Sequence, residues 1–398
     1  PGVLKNKSEA FIDTLINAEL KPNQILSFNT YINPGFTNQS IQFSQPFWLK
    51  TMPDGLFHFG SPTQILYPEK AFYTNATVIG YFPANASFTK TVKIQYRWVD
   101  PEKGELYRPV VITPPVLLKM DQEVFTFTDV KTKPITVKAS KDSLSGNLHL
   151  NLPSHWNAEP SNQTFIIKKK GEEQSFTFMV TAPDFDAEGD VLAVADIKGT
   201  SYSKDMHEIK YDHIPVQTWF PDAKARVIKF SVVKQKQKIG YIPGAGDEVQ
   251  TCLTQLGYNV VTITDEMLKN GDLNVYETII TGVRAYNTNE LLSIKKQKLM
   301  EYVKQGGNLL VQYNTNSFAG PMKSDLGPYP FKITRDRVTD ENAEITFLLP
   351  DHPVLNTPNV INSKDFKGWI QERGIYFAGD IDSSYQCPIS FNDKGEKP

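Results

Sequence analysis

The feature that most constrains the fold is a change of sequence pattern near Lys238. From Lys21 to about Lys238, short runs rich in Val, Ile, Thr, Phe and Tyr are broken by Pro, Gly, Asn or Asp roughly every ten residues. Several runs, such as Ser175–Val180, alternate apolar with polar residues, as half-buried antiparallel strands do. The pattern predicts antiparallel β-sandwiches before Lys238 and a different architecture after it.

Strand and helix patterns alternate in the last part of the chain. Strands are predicted over Lys238–Ile242, Asn259–Ile263, Glu277–Thr281 and Asn308–Gln312, and helices over Asp247–Leu256 and Asn289–Gln305. Gly257 and Gly306 follow the two helices, and glycine is the residue most often found just after a helix end. Successive β-α-β units predict a parallel, doubly wound sheet of the flavodoxin-like kind.

The length of 398 residues suggests two to four domains, at roughly 150 residues per domain. Proline-marked sequence between Val99 and Pro115 divides the β region into two parts. The predicted division is a helical linker over 1–22, a first β-sandwich over 23–112, a second, Ig-like sandwich over 113–235 and an α/β domain over 236–398. Because the chain begins with Pro1 and stops after Gly395–Pro398, we expect a piece of a longer protein.

Charge and hydropathy exclude several classes of partner. Lys and Arg number 42 and Asp and Glu 44, a net charge of -2, so the basic surface of a nucleic-acid-binding protein is not expected. The longest apolar runs are far shorter than the ~20 residues of a membrane-spanning helix, so no membrane insertion is expected. Two cysteines cannot form a disulfide framework or a cysteine-based zinc site.

No catalytic motif is present in the sequence. His207 and His213 would lie about 20 Å apart on one strand, too far to bind one metal ion. No Gly-x-Ser-x-Gly motif occurs, and Cys252 is predicted to be a core residue of its helix. The turn Pro243–Asp247 lacks the third glycine of a dinucleotide site, and Asp247 is expected to cap the following helix. The sequence therefore predicts no catalytic residue, metal or cofactor in this chain.

The candidate ligand site lies at the carboxyl ends of the predicted parallel strands, where doubly wound sheets bind their ligands. The residues predicted to line it are Arg284, Tyr286, Asn287, Tyr313, Asn314 and Arg373. Guanidinium, amide and phenol groups suit a polar or anionic carbohydrate. The alternative is that arginines such as Arg335, Arg337 and Arg373 only hold loops through salt bridges. The sequence leaves both interpretations open.

Several long motifs carry a resemblance to a known protein family. They include Gly240–Val249, Thr281–Asn287, Gly306–Asn314, Pro328–Glu341, Pro350–Asn356 and Phe366–Phe377, with the upstream Ser44–Leu49, Tyr96–Pro101 and Lys210–Pro215. These stretches resemble the C-terminal region of large bacterial PIG-L (LmbE-like) deacetylases. The resemblance spans nearly the whole chain. It implies two Ig-like modules followed by a domain similar to class I glutamine amidotransferases, truncated at its C-terminus before the last strand and helix that such a domain needs.

The resemblance also implies a function. In this family the zinc-dependent N-deacetylase is a separate N-terminal domain with an Ala-His-Pro-Asp-Asp-Glu motif, which this sequence lacks. The amidotransferase nucleophile is also missing, since the matching turn is Gln312–Asn316. The chain is expected to be a non-catalytic region that positions N-acetylated sugars or glycoconjugates for its own upstream catalytic domain, which would hold the zinc. An independent enzyme and a structural or oligomerisation module remain the alternatives. The compartment is open, and a signal peptide on the full-length protein would imply a periplasmic or secreted bacterial protein.

Overall fold

The computed structural model describes residues 23–25, 27, 43–49, 58, 62, 75–81, 86–128, 132–141, 144–169, 171–235, 237–316, 326–369 and 374–393. The helix predicted within 1–22 lies outside these residues. The chain divides into two compact units. The first comprises Pro1–Leu117 and Lys204–Asp222, and the second Leu118–Ser203 and Ala223–Pro398. The second unit thus contains both the predicted Ig-like sandwich and the predicted α/β region. The sandwich sequence is interrupted by Lys204–Asp222, which belong to the first unit.

The secondary structure is mostly β. The strands up to residue 229 are β1 (Asn75–Tyr81), β2 (Ser87–Lys93), β3 (Gln95–Asp100), β4 (Gly104–Pro109), β5 (Leu117–Met120), β6 (Val124–Phe127), β7 (Thr132–Lys141), β8 (Leu144–Asn151), β9 (Asn157–Glu159), β10 (Asn162–Ile167), β11 (Glu172–Thr181), β12 (Ala187–Ile197), β13 (Thr200–Tyr202), β14 (His207–Ile209), β15 (Gln217–Trp219) and β16 (Lys224–Lys229).

The remaining elements include the helices. They are β17 (Lys238–Ile242), α1 (Val249–Gln255), β18 (Asn259–Thr262), α2 (Asp265–Asn270), β19 (Thr278–Thr281), α3 (Ala285–Thr288), α4 (Glu290–Ile294), α5 (Lys296–Lys304), β20 (Asn308–Val311), β21 (Lys332–Ile333), β22 (Arg337–Val338), β23 (Ile345–Phe347), α6 (Pro353–Asn356), β24 (Gly374–Ile375), β25 (Ala378–Gly379) and β26 (Ile389–Phe391). Short 3₁₀ turns occur at Phe47–Leu49, Leu273–Val275 and Ser363–Phe366. Among the described residues no helix is long and apolar enough to cross a membrane.

The sandwich of the second unit has two sheets. One has the order β10-β8-β12-β16-β6, with β13 also paired to β12, and the other has the order β5-β7-β11-β9. Strand β7 shows why they pack, because Ile135, Val137 and Ala139 alternate with polar residues and are fully buried. Ile135 lies opposite Phe178 of β11, also fully buried. The period-two pattern thus places one apolar face of each sheet in the core. The predicted β-sandwich character is confirmed.

One strand pair corrects the prediction of purely antiparallel sandwiches. Strand β6 pairs with β16 in parallel, with Val124 opposite Arg226 and Phe127 opposite Lys229. The neighbouring strand β5 belongs to the other sheet, where it is hydrogen-bonded next to β7. The chain therefore changes sheets between Met120 and Val124 and runs along the free edge of β16. No hairpin connects β6 to β16. Strand β6 is therefore not forced to run antiparallel to β16 and can pair with it in parallel.

The described strands of the first unit form small separate sheets. β1 pairs with β2, β3 with β4 and β14 with β15, all antiparallel. The Ser44 N–H donates to the Ile112 carbonyl at 2.9 Å, and the Ser44 hydroxyl oxygen accepts from the Ile112 N–H at 2.7 Å. Most of residues 23–74 lie outside the description, so the sandwich predicted over 23–112 stays a prediction.

A four-stranded parallel sheet follows the sandwich, in the order β18-β17-β19-β20. The strands predicted at Lys238, Asn259, Glu277 and Asn308 match β17, β18, β19 and β20 within one residue at either end. The predicted helix 289–305 is interrupted at Lys295, which separates α4 from α5. Helices α2 and α3 were not predicted, because each spans at most six residues. Residues of α4 and α5, including Leu292 and Leu299, pack with Ile279 in one core cluster.

The C-terminal end of α1 contacts the edge strand β6 within this unit. The Gln255 side chain accepts hydrogen bonds from the Thr126 N–H and hydroxyl, at 2.9 and 3.0 Å, and donates to the Val124 carbonyl at 3.2 Å. Lys234 Nζ donates to the Leu256 carbonyl at 2.7 Å. The side-chain amide therefore replaces a neighbouring strand and covers an otherwise open sheet edge. Sandwich and parallel sheet are joined by specific hydrogen bonds at this point.

Candidate functional site

The parallel sheet has a point where strand order reverses. From β17 the chain crosses to β18 on one side and then returns to β19 on the other side. Ligands of doubly wound sheets bind at such a point, outside the carboxyl ends of the strands. Here the relevant loops are 243–248 after β17, 282–284 after β19 and 312–316 after β20. The predicted site residues other than Arg373 belong to the last two loops or to α3, directly after the second of them.

The first two loops approach each other closely. The Ala245 N–H donates to the Val283 carbonyl at 2.7 Å, and the Gly282 N–H to the Ile242 carbonyl at 2.8 Å. A Cβ atom on Gly244 would lie 2.1 Å from the Val283 carbonyl oxygen. Glycine is therefore required at 244 because of backbone contact, which explains this glycine without a bound phosphate.

Asp247 holds the two loops together through its carboxylate. Its Oδ1 accepts hydrogen bonds from the Tyr241 hydroxyl at 2.6 Å and from the Val249 N–H at 3.0 Å. Its Oδ2 accepts from the Val283 N–H at 2.8 Å. Partial burial acts to raise the pKa of Asp247, but these hydrogen bonds outweigh it and hold the pKa below its ordinary value. Asp247 is thus an ionised bracing residue, and sequence analysis assigned it only a helix cap.

Arg284 stands at the carboxyl end of β19 in a left-handed backbone conformation, with φ 58° and ψ 23°. This conformation costs a non-glycine residue about 1–2 kcal/mol. The Arg284 N–H donates to the Tyr313 carbonyl at 2.7 Å, which links the loops after β19 and β20. The side chain is exposed and forms no ion pair with any described carboxylate, Asp336 included. Its guanidinium is therefore free to bind a ligand, as far as the described part of the chain shows.

The two predicted asparagines hydrogen-bond the backbone. Asn287 donates to the Thr315 carbonyl at 2.8 Å and accepts from the Thr315 N–H at 2.9 Å. Asn314 is 4% exposed, accepts from the Tyr286 N–H at 3.1 Å and donates to the Gln312 carbonyl at 2.8 Å. Both amides imitate a neighbouring peptide group. They shape the loops, and Asn314 is too buried to contact a ligand.

The two predicted tyrosines differ in position. Tyr286 is 1% exposed and belongs to the core cluster of the sheet. Burial raises the pKa of Tyr286 to about 12, and its hydroxyl has no hydrogen-bond partner among the residues that the structure describes. The predicted ring face for a sugar is therefore not available there. Tyr313 is only partly buried, and its side chain remains at the edge. Arg373, the last predicted residue, lies outside the described residues.

Gln312 is a site residue that the sequence analysis did not select. Its side-chain Nε2 is buried and reaches no acceptor at hydrogen-bond geometry among the described residues, although the amide lies close enough to Asp247 to contribute to that residue's low pKa. An unsatisfied buried donor costs ~1–3 kcal/mol, so the amide is expected to act on Asp247. The only sequence signal was its position as the first residue after β20. The edge thus offers an exposed cation at Arg284, whereas the Gln312 amide is buried beside Asp247.

Other candidate groups do not form a catalytic arrangement. Cys252 is exposed on α1 and not in the core as predicted, because no residue of this seven-residue helix is buried. Burial raises the pKa of its thiol, and Glu248 and Asp247 raise it further, which opposes a reactive thiolate. His207 hydrogen-bonds Asp205 at 3.1 Å. Among the described residues no three His, Cys, Asp or Glu side chains are grouped to hold a metal.

A cavity of about 470 Å³ lies in another part of the α/β region. It is lined by residues 271–274 and by α4 and α5, and contains no predicted site residue. Lys298 in its wall donates to the carbonyls of Leu268 and Gly271, at 3.1 and 2.6 Å. This lysine caps the end of α2 and is not free for a ligand.

Comparisons with known proteins give limited information. No protein-family model matches the sequence, and no curated protein matches it. Among solved structures, WR4, an MSP family member of C. elegans, is 9% identical, with a TM-score of 0.19 over 29% of this chain and 98% of WR4. SSP-19, an MSP-domain protein like family member from Caenorhabditis elegans, is 7% identical, with a TM-score of 0.17 over 28% and 97% of the two chains. Neither likeness bears on function.

Proposed function

We propose that the chain is a non-catalytic region that positions substrate for a zinc-dependent N-deacetylase acting on N-acetylated sugars or glycoconjugates. The catalytic domain would lie upstream in the same protein. The motifs that resemble PIG-L (LmbE-like) proteins support this proposal, as does the combination of a sandwich with a parallel sheet. In the same proposal, the α/β region is a doubly wound, glutamine amidotransferase-like domain that has lost its nucleophile and kept a ligand site.

One observation carries the proposal of a ligand site. Arg284 is held in a strained conformation beside the point of strand reversal, with an exposed guanidinium that has no partner among the described carboxylates. Strained residues of this kind cluster at functional sites. A guanidinium presents paired donors to a carboxylate or phosphate. A polar or anionic carbohydrate matches this group.

The chemistry of the edge supports binding over catalysis. Asp247 lies in the loop after β17, and its carboxylate accepts hydrogen bonds from Tyr241 and two backbone amides. Its lowered pKa makes it a poor general base near neutral pH. The Cys252 thiol is disfavoured as a thiolate. The described side chains at the edge therefore support recognition and orientation of a substrate.

Calorimetric titration of the chain with amino sugars, their N-acetyl forms and anionic sugars tests the site. We expect Arg284→Ala to weaken binding by ~1.5–3 kcal/mol, the value of a charged hydrogen bond, with little change in melting temperature. Alanine, like arginine, has a Cβ atom, so the left-handed backbone at position 284 costs about the same in the variant as in the unmodified chain. A difference in melting temperature therefore does not come from backbone strain. Arg226→Ala is the matched control, because Arg226 is exposed but ion-paired with Glu188 at 3.1 Å.

Two outcomes would contradict the proposal. A lower melting temperature for Arg284→Ala with unchanged affinity would make Arg284 a structural residue. Retention of about one zinc per chain after dialysis, with deacetylase activity, would mean that the chain is itself the enzyme.

A further inference from the structure

The hairpin β3–β4 in the first unit exposes aromatic rings on both faces. Cross-strand pairing places Tyr96 and Trp98 with Leu106 and Arg108 on one face, called here the Tyr96 face. The other face carries Tyr107. Tyr96 and Tyr107 are each 53% exposed, so neither ring is covered by a core. Among the described strands, β3 and β4 pair only with each other, and such a two-stranded hairpin with exposed rings is unusual for a purely structural element.

The Tyr96 face carries an ordered row of planar groups. The rings of Tyr96 and Trp98 are nearly parallel, at 24°, with centroids 5.8 Å apart. The Arg108 guanidinium lies 5.2 Å from the Tyr96 ring centroid. The two rings are displaced sideways, because 5.8 Å exceeds direct face-to-face contact. Their spacing is close to that of neighbouring residues in an extended oligosaccharide.

The charged side chains around the hairpin form pairs of opposite charge. Arg108 on the Tyr96 face is 3.8 Å from the Glu208 carboxylate of β14. On the opposite face, Arg97 is 3.3 Å from Glu105, which also accepts a hydrogen bond from the Tyr107 hydroxyl. Beside the Tyr96 ring, the Arg108–Glu208 pair therefore offers donors and acceptors of opposite charge close together. Such a surface suits an uncharged ligand with many hydroxyl groups better than a polyanion or a polycation.

The alternation of rings and charges also disfavours a protein partner. Protein interfaces have an apolar centre from which charged residues are depleted. On the Tyr96 face, Arg108 lies directly opposite Tyr96 in the strand pair. Sugar rings have C–H faces that pack on aromatic rings and hydroxyl edges that bond to charged groups. We propose that the Tyr96 face binds a neutral oligosaccharide chain, separately from the ligand site at Arg284.

Titration of the full chain with neutral β-linked hexasaccharides of glucose and of N-acetylglucosamine tests this proposal. Tyr96→Ala should weaken binding about tenfold or more, since loss of one stacking ring is worth ~1.4 kcal/mol. Tyr107→Ala is the matched control, because Tyr107 has the same exposure on the opposite face, and it should change affinity less than about twofold. Tyr96→Leu, which keeps an apolar side chain without a ring, should bind as weakly as Tyr96→Ala. Thermal melts verify that each variant is folded.

Several results would overturn the proposal. They are no binding of either hexasaccharide by the unmodified chain at millimolar concentration, equal losses in Tyr96→Ala and Tyr107→Ala, and full affinity in Tyr96→Leu. Tighter, salt-sensitive binding of a cationic glucosamine or anionic uronic acid hexamer would exclude a neutral ligand. Binding that persists in Arg284→Ala separates this surface from the proposed site at the parallel sheet.

Discussion

Polar side chains gather in two regions of the second unit, and they are bonded differently. On the sandwich, Asp190 of β12 is 3.2 Å from Lys224 and 3.4 Å from Arg226 of β16, and all three side chains are about half exposed. At the carboxyl edge of the parallel sheet, Asp247 and Asn287 bond mainly to backbone amides of neighbouring loops. The ion pairs on the sandwich join flexible side chains that are exposed to water. The bonds at the edge of the parallel sheet fix the backbone of one loop to a side chain of another. Only the second kind is expected to shape a binding site.

The largest effect is expected for Asp247→Ala. The substitution leaves the Tyr241 hydroxyl and the N–H groups of Val249 and Val283 without their acceptor. Unsatisfied donors that are partly buried cost ~1–3 kcal/mol each, so for three donors we expect a loss of ~3 kcal/mol or more in the free energy of unfolding, measured in urea. Asp247→Asn keeps the shape and one acceptor oxygen and should lose less. A loss below ~0.5 kcal/mol would remove the contrast between the two regions.

The same residue predicts a dependence on pH. The folded-state pKa of Asp247 lies below the ordinary value of 3.8. Its ionised form therefore adds stability above that value, and this contribution disappears as pH falls through the folded-state pKa. The stability difference between the unmodified chain and Asp247→Asn should be constant near neutral pH and shrink below about pH 3.8. A difference that grows on acidification would mean that Asp247 is protonated in the folded chain.

An intermediate effect is expected for Asn287→Ala. Both hydrogen bonds between Asn287 and the Thr315 backbone are lost, so the free energy of unfolding should fall by ~1–2 kcal/mol. The control is Asn270→Ala, because Asn270 donates only to the exposed Glu266 side chain and should change stability by less than ~0.5 kcal/mol. Equal effects from the two substitutions would show that a bond to the backbone has no special value here.

The smallest effect is expected for Asp190→Ala on the sandwich. Its ion pairs are exposed, and exposed pairs contribute ~0–1 kcal/mol. We expect a change below ~0.5 kcal/mol in the urea midpoint analysis, and a smaller one in high salt. A loss as large as that of Asp247→Ala would show that the charged face of the sandwich is also a structural network.

The regular elements of the parallel sheet were predictable from local pattern. β17, β18, β19 and β20 are short apolar runs bounded by polar or glycine-containing turns, and their positions follow from that pattern alone. The prediction was wrong for the pairing of β6, because nothing in Val124–Phe127 indicates which edge a strand joins. Short helices such as α2 were missed because six residues do not show a helical period.

The candidate site was only partly predictable for a related reason. A polar residue after a strand looks the same in sequence whether it faces solvent or the backbone of the next loop. Arg284 and Asn314 both follow strand ends, yet the Arg284 side chain is exposed whereas Asn314 is buried. The Asn314 amide also forms hydrogen bonds through both its oxygen and its nitrogen. The roles of Gln312 and Asp247 become apparent only when their hydrogen-bond partners and burial in the folded chain are known.

Local sequence by itself determined where the strands and longer helices form, which faces of the sandwich strands are apolar, and that the carboxyl ends of the parallel strands are rich in polar groups. These properties depend on residues close together in the chain. The tertiary structure alone decided that β6 joins β16 in parallel, that Asp247 and Asn287 are used to hold loops, and that the Arg284 side chain is exposed. Each of these depends on which distant backbone groups come within hydrogen-bond distance, and that distance is set by packing of the whole unit.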